Sequence, residues 1–415
     1  INTAAVTTGT LVGLKTFNTT VDTPSYTTTA EVSFTTAGRI PIGGSIEVVL
    51  PVLSGLQRGW HIGDTSAVVF SEPAKNTPVV SSEVTVDSGV KVTFAISNYP
   101  IEQETKVVFT MTQVTTPTKP VNGDISTSIT TYDSSSNVID SVSDVSTDAI
   151  TRGLLDGVKR VNPSTDTPAY TDTAVVSFTT AGSVPVGGFI HVVLPEVTSV
   201  HAGWVVSAGA GIVFTSPSTD TPSVNDSSVV LSLAGREMKF KVSEHAIAQE
   251  TVVVFTVYNV TTPTKQLDAA YNTTITTYDS SSNVIDSVSD VSTDAITRGL
   301  LDGVKRVNPS TDTPAYTDTA VVSFTTAGSV PVGGFIHVVL PEVTSVHAGW
   351  VVAGSTTFTF EQPSTDKPVV SASPTVTMEG RSVKFAIGSN AIAQETVVSF
   401  TISTVTTPTK QLDAA

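Results

Sequence analysis

The sequence predicts an all-β protein made of three antiparallel β-sandwiches in tandem. Three observations predict it. Apolar and polar residues alternate over short runs, residues 129–206 recur letter for letter at 275–352, and Pro/Gly punctuation falls every 8–12 residues or so. An earlier copy begins at Ile1, where INTAAVTTGTLVGLKTF aligns with Val145–Val161. The 415 residues therefore carry nearly three turns of a unit of about 145 residues, each long enough to bury its own core. The repeat sets domains at 1–152, 153–298 and 299–415, the third lacking its terminal hairpin.

The strands follow in order. In the first unit Ala30, Val32 and Phe34 alternate with Glu31, Ser33 and Thr35, and then Ile46, Val48 and Leu50 alternate with Ser45, Glu47 and Val49. Period two places one set in a core and the other on the opposite face. In the second unit Met238, Phe240 and Val242 alternate with Lys239 and Lys241, and Val253, Phe255 and Val257 follow. Phe34, Phe178 and Phe324 hold one inward position in the three copies. β-Branched residues dominate these runs and suit a half-buried pleated surface. No stretch free of Pro, Gly and β-branched residues reaches three helical turns. About eight to ten short strands per unit indicate an Ig-like sandwich.

Between the early strands stands an [IV]P[IV]GG motif, at Ile40–Gly44, Val184–Gly188 and Val330–Gly334. Pro cannot donate to a central ladder and paired Gly permits positive φ, so the motif reads as a hairpin connection between adjacent strands. The later segments VTFAISNYPIEQETKVVFT, KFKVSEHAIAQETVVVFT and KFAIGSNAIAQETVVSFT share that plan, which suggests a half-repeat within each unit.

The joints, Asn137–Pro163 and Asn283–Pro309, lack the composition of a flexible linker. Val138, Ile150, Leu154, Leu155 and Val158 are spread through the first, which predicts largely packed joints and a stiff or semi-stiff rod. Compact units of this size are roughly 40 Å across, so three in line would span roughly 120 Å. Ile129–Asp144 and Ile275–Asp290 close the first two units, whereas the third copy reaches Ala415 before the same segment. An exposed sheet edge is expected there, met either by continuing chain or by a neighbouring molecule.

Composition narrows the function. The net charge of −16 without a basic cluster argues against nucleic acid as a partner. The absence of Cys excludes thiol chemistry and Cys-ligated metals. No run of 18 apolar residues predicts membrane insertion. The chain starts at Ile1 without a signal peptide, which reads as a mature product or an excerpt. No P-loop, nucleophile elbow or H-E-x-x-H is present.

Several residue groups remain as candidate sites. Asp133, Asp140, Asp144 and Asp148, repeated at Asp279, Asp286, Asp290 and Asp294, cluster near the joints. Calcium takes six to eight oxygens, so Asp140, Asp144, Asp148, Asp286, Asp290 and Asp294 are calcium candidates, although no D-x-[DN]-x-[DN]-G loop is present; solvated turns are the plainer reading. No other cofactor is expected. His191 and His337 stand where the first unit has Glu47, and His201 and His347 where it has Gln57, which argues against a shared histidine site. Trp60, Trp204 and Trp350 each follow a Gly and read as core or joint plugs more readily than as sugar platforms. N-x-[ST] sequons at Asn18, Asn225, Asn259 and Asn272 are glycosylation candidates, and the TTPT runs at 115–118, 261–264 and 406–409 could carry O-linked sugar or simply turn after a strand.

Through FTTAG-x-[IV]P-[IV]GG-x-I-x-VVLP and TTYDSSSNVIDS, the chain resembles large repetitive surface and filament proteins of protists and algae. More loosely, it resembles the tandem Ig-like adhesin arrays of bacteria. The resemblance covers nearly all of each unit, implies an extracellular or cell-surface location with a structural or adhesive role, and carries over no catalytic residues; no enzymatic activity is expected. The expected function is that of a structural subunit of a filament, stalk or surface coat that self-associates, with glycans as possible partners. The alternative is an adhesin whose repeats bind or display a glycan or protein ligand, with the most divergent stretches, 61–90, 205–235 and 351–380, as the first place to look.

Overall fold

The computed structural model describes residues 5–53, 59–123, 126–197, 202–343, 348–371 and 373–412. Unit 1 contains β1 (Val12–Thr19), β2 (Thr27–Thr35), β3 (Ser45–Val49), β4 (His61–Ile62), β5 (Val68–Glu72), β6 (Val79–Asp87), β7 (Lys91–Ser97), β8 (Lys106–Thr115), β9 (Ser126–Tyr132) and β10 (Val138–Thr147). Unit 2 contains β11 (Asp156–Pro163), β12 (Thr171–Thr179), β13 (Phe189–Val193), β14 (Val205–Val206), β15 (Ile212–Ser216), β16 (Ser223–Val224), β17 (Val230–Ser232), β18 (Glu237–Ser243), β19 (Val252–Thr261), β20 (Ala270–Tyr278) and β21 (Val284–Thr293). Unit 3 contains β22 (Asp302–Pro309), β23 (Thr317–Thr325), β24 (Phe335–Val339), β25 (Val351–Val352), β26 (Phe358–Gln362), β27 (Val369–Val370), β28 (Thr375–Thr377), β29 (Ser382–Ser389) and β30 (Val397–Thr406). The described helical residues form only short 3₁₀ turns, at Asp226–Ser228, Leu233–Gly235 and Met378–Gly380. The protein is all-β, as its period-two pattern predicts.

Each unit folds its strands around an aromatic-rich core. Phe34, Phe94 and Phe109 are buried in unit 1, and Phe178, Phe240 and Phe255 repeat them in unit 2. Their rings meet edge-on, at 5.2 Å for Phe94–Phe109 and 5.3 Å for Phe240–Phe255. That geometry adds quadrupole attraction to area burial. In unit 3 Phe324, Phe385 and Phe400 hold the same places. Trp60 and Trp204 are buried core plugs, and Trp350 is partly buried against the third core.

The motif Ile40–Gly44 is not a hairpin connection. β2 pairs with β1 and β8, whereas β3 pairs with β7 and β9. The chain therefore leaves one set of strands and enters another. The later segment crosses back the other way, from β7 to β8. The two crossings meet at Ile40 and Ile101, which exchange backbone hydrogen bonds of 2.8 and 3.0 Å. Val184 meets Ile247, and Val330 meets Ile392, in the same way. The suspected half-repeat is this pair of crossing arms. Alternation defines which face a strand buries but not which strand lies beside it, so the pattern left the partner open. Gly44 is needed at the corner because a Cβ there would run into the Tyr132 and Pro41 carbonyl oxygens.

The hairpin β9–β10 joins the two sets. β10 pairs with β1 in parallel, and β9 pairs with β3 antiparallel. The strand path then runs unbroken as β4-β8-β2-β1-β10-β9-β3-β7-β6. Unit 2 repeats it with β20–β21 between β11 and β13. These parallel contacts are short; the other strand pairings are antiparallel. In unit 3 the described strands form two separate sheets, β22-β23-β30-β25 and β24-β29-β27.

Candidate functional site

The joints are where the units touch through specific side chains. On the unit 1 side, the loop between β1 and β2 is shaped by the first TTPT run. Thr116 is buried; its hydroxyl accepts from Tyr26 N at 3.0 Å and donates to the Thr23 carbonyl at 2.5 Å. Ser25 N donates to the Pro117 carbonyl. Thr262 and Thr407 do the same work in the other units and are also buried. These three hydroxyls are structural.

Unit 2 meets that loop with two segments, Ala181–Ser183 and Gln249–Glu250. Ser183 N donates to the Ser25 carbonyl at 3.0 Å. The Gln249 carboxamide accepts from Thr27 N at 2.7 Å and donates to the Thr27 carbonyl at 3.1 Å. It satisfies a strand residue as a neighbouring strand would. The Tyr26 hydroxyl donates to Glu250 at 2.6 Å, and this bond to a carboxylate raises the phenol's pKa. Gly182 permits the approach, because a Cβ there would collide with the Pro24 carbonyl oxygen.

The second joint repeats the first. Ser329 N donates to the Ala169 carbonyl, Gln394 makes the two bonds to Thr171 at 2.6 and 3.0 Å, and Tyr170 donates to Glu395 at 2.7 Å. Gly328 faces the Pro168 carbonyl as Gly182 faces that of Pro24. The IAQET segments recur visibly in the sequence, but nothing local marks their Gln and Glu as joint residues.

Behind this surface lies a buried carboxylate. Asp286 is fully buried on β21; it accepts from Gly182 N at 3.1 Å, from Ala181 N at 3.3 Å and from the Thr277 hydroxyl at 3.1 Å. Burial raises its carboxyl to about 6, against the opposing pull of those donors. Asp140 is likewise buried and accepts from Ala37 N and Gly38 N. Both anchor a crossing arm to the hairpin.

The other calcium candidates do not converge on these two. Asp144 is exposed and reaches Lys15 at 3.6 Å, while Asp294 pairs with Arg160 at 2.7 Å. Asp148 is half-buried, its pKa raised by burial and by Asp22, and Asp290 is exposed. Among the described residues, no group of three or more His, Cys, Asp or Glu is placed to hold a metal ion. Asp133 and Asp279 instead close the hairpin turns, each accepting from the backbone and side chain of the Asn four residues on.

The joint segment packs selectively. Ile150 and Leu155 are buried, whereas Val138, Leu154 and Val158 are exposed. Of the sequons, Asn225, Asn259 and Asn272 are exposed and Asn18 is half-buried on β1. His191 lies 2.6 Å from Glu237, whose pKa is lowered first by its Ser232 bond, while His337 meets Ser382 at 2.8 Å. Identical positions thus have different partners. Gln57, His201 and His347 lie outside the described residues. No helix of the described chain is long and apolar enough to cross a membrane.

No protein-family model matches the chain, and no curated protein matches it in sequence. Solved structures that align with it include the C-terminal domain of the AgI/II polypeptide BspA of Streptococcus agalactiae. That match is 8% identical, covers 69% of this chain and 99% of that one, and has a TM-score of 0.20. The serine-rich repeat adhesion glycoprotein Srr1 of the same organism aligns at 10% identity over 66% of this chain and 95% of its own, TM-score 0.18. A type II cohesin dyad from the ScaA scaffoldin of Acetivibrio cellulolyticus aligns with the same identity, coverage and TM-score. Similarity at this level carries no conclusion about activity.

Proposed function

We propose that the chain is a structural subunit of an extracellular filament, stalk or cell-surface coat, with units at 1–152, 153–298 and 299–415 serving as rigid, non-catalytic spacers. The observation that carries this reading is the joint. Two junctions use the same glutamine, tyrosine–glutamate pair, glycine and backbone bond, so orientation is passed from unit to unit by chemistry rather than by a loose linker. Repeats that contact mainly their neighbours extend without limit. Asp140 and Asp286 act in this reading as internal anchors, and the net charge of −16 keeps the rods soluble until they assemble. Electron microscopy of the purified chain tests the proposal. Smooth filaments with a repeat matching the unit length support it; particles that stay single at all concentrations and salt conditions count against it.

A second reading, an adhesin that displays a glycan or protein site, is favoured by one observation. Divergence between units is concentrated in 61–90, 205–235 and 351–380, which supply β4–β6, β14–β17 and β25–β28. A glycan array in which a ligand is lost on exchanging one of these stretches would select it.

A further inference from the structure

A cleft of about 690 Å3 opens at the first joint, over the outer face of the hairpin β20–β21. Unit 2 supplies its floor, with Thr276, Tyr278, Val284 and Ser287. Unit 1 supplies its wall, from 120–122 and 149–152, where Val121 and Ile150 exchange backbone hydrogen bonds of 3.0 and 2.9 Å. The volume is that of an ordinary small-ligand site, roughly 300–1,000 Å3.

Its charge is unlike that of the chain. The protein has 37 acidic and 21 basic residues, yet among the described residues no Asp or Glu lines the cleft and Arg152 does. Arg152 is exposed and has no ion-pair or hydrogen-bond partner among the described residues. Lys239 stands on the same sheet face, 4.5 Å over the Tyr278 ring and 4.7 Å over Phe189. Glu237, the acid on that face, is engaged by His191 at 2.6 Å and by Ser232. Asp286, between Val284 and Ser287 in sequence, is buried and turned to Ala181 and Gly182. Unit 1 has the same hairpin sequence beside a different face. Glu47, Thr93 and Ala95 stand there in place of His191, Lys239 and Lys241, and Lys91 in place of Glu237. The Tyr132 hydroxyl donates to Glu47 at 3.2 Å, whereas Tyr278 has a lysine over its ring. Unit 1 balances one acid with one base; unit 2 sets two lysines against one acid.

We infer that this joint cleft binds a carboxylate-bearing oligosaccharide, a chain of uronic acid sugars. The Arg152 guanidinium presents a fork that matches a carboxylate. The half-buried Tyr278 ring supplies a flat apolar surface for a pyranose. The Asn122 carboxamide and the Thr151 hydroxyl complement ring hydroxyls. Thr276 and Ser287 share a hydrogen bond of 2.9 Å and make the floor polar. An acidic peptide fits less well. β20 is already paired on both sides, by β13 and β21, so no strand edge is open to a peptide backbone at Tyr278. The cleft lies outside the stretches 61–90, 205–235 and 351–380, and it is a site that neither unit makes alone.

The test titrates hexagalacturonate into the 415-residue chain in the presence of EDTA, followed by calorimetry and amide exchange. The expected result is saturable binding with a Kd of about 1 mM or tighter, and slower exchange at 149–152 and 276–278. The methyl ester of the same hexamer, and the Arg152→Gln variant, should each weaken binding by about tenfold or more. Lys106→Gln makes the same charge change at an exposed position of β8 outside the cleft, and should leave the affinity within about twofold. Absence of saturable binding would overturn the inference. So would equal affinity of the methyl ester, equal affinity of Arg152→Gln, or a hexaglutamate peptide that protects the same amides as tightly. None of these results depends on whether the chain forms filaments.

Discussion

The side chain of Gln249 hydrogen-bonds both the N–H and the carbonyl of Thr27, so a residue of unit 2 completes the backbone pairing of a strand in unit 1. Gln394 does the same to Thr171 one repeat later. A carboxamide is suited to this because it carries a donor and an acceptor side by side, matching a peptide group.

Replacing Gln249 by Ala removes both bonds and leaves a part-buried N–H and carbonyl at Thr27. Each bond is worth roughly 0.5–1.5 kcal/mol. The expected outcome is a unit 2 core of unchanged stability and faster amide exchange at Thr27 and Ser183. Unchanged exchange at both would show that the joint does not depend on this side chain.

Phe178 and the Leu154–Leu155 pair separate core from surface. Phe178→Ala should cost roughly 3–5 kcal/mol in unit 2, and Leu155→Ala roughly 2–5 kcal/mol. Leu154 is 67% exposed, and Leu154→Ala should stay within about 0.5 kcal/mol. Denaturant melts of the three variants check this; equal losses at Leu154 and Leu155 would contradict the burial.

The sequence makes Phe34, Phe178 and Phe324 inward-facing because alternation is a local property of each strand, and they are buried. It also makes the joint apolar, but neighbouring leucines in an irregular segment give no period, so Leu154 and Leu155 could not be told apart. The partners of β2 and β3 were hidden for a related reason: Ile40–Gly44 marks a sharp change of direction, and only packing decides between a hairpin and a crossing. Asp140 and Asp286 carry a usable signal, a carboxylate two residues before Val142 and Val288, which places it on the same strand face as an apolar residue. Their amide partners lie more than a hundred residues away in sequence, so the acidic cluster read as solvated or calcium-binding. Gln249 and Gln394 were visible as a recurring IAQET, yet nothing local distinguishes a joint contact from an exposed turn.

Asp286 should give unit 2 a pH dependence. Its carboxyl titrates at about 6 in the folded protein against an ordinary 3.8, so the folded state holds the proton more tightly than the unfolded chain. The associated stability is present in full below about pH 4 and is lost as pH rises through about 6, by a few kcal/mol at most. Asp286→Asn should flatten this part of the profile. Unit 2 melts at pH 4 and pH 7, compared between the variant and the unaltered chain, provide the check; a parallel pair of profiles would show that Asp286 does not set it.

Orientation fixed by the joints is the central claim, and small-angle X-ray scattering of the 415-residue chain tests it most directly. Two junctions with the same bonds predict one extended particle whose scattering fits a single arrangement of the three units. The Gln249→Ala, Gln394→Ala double variant is then expected to broaden the distribution of distances while each unit stays folded. A profile from the unaltered chain that fits only freely jointed units, or a collapsed globule, would contradict the account.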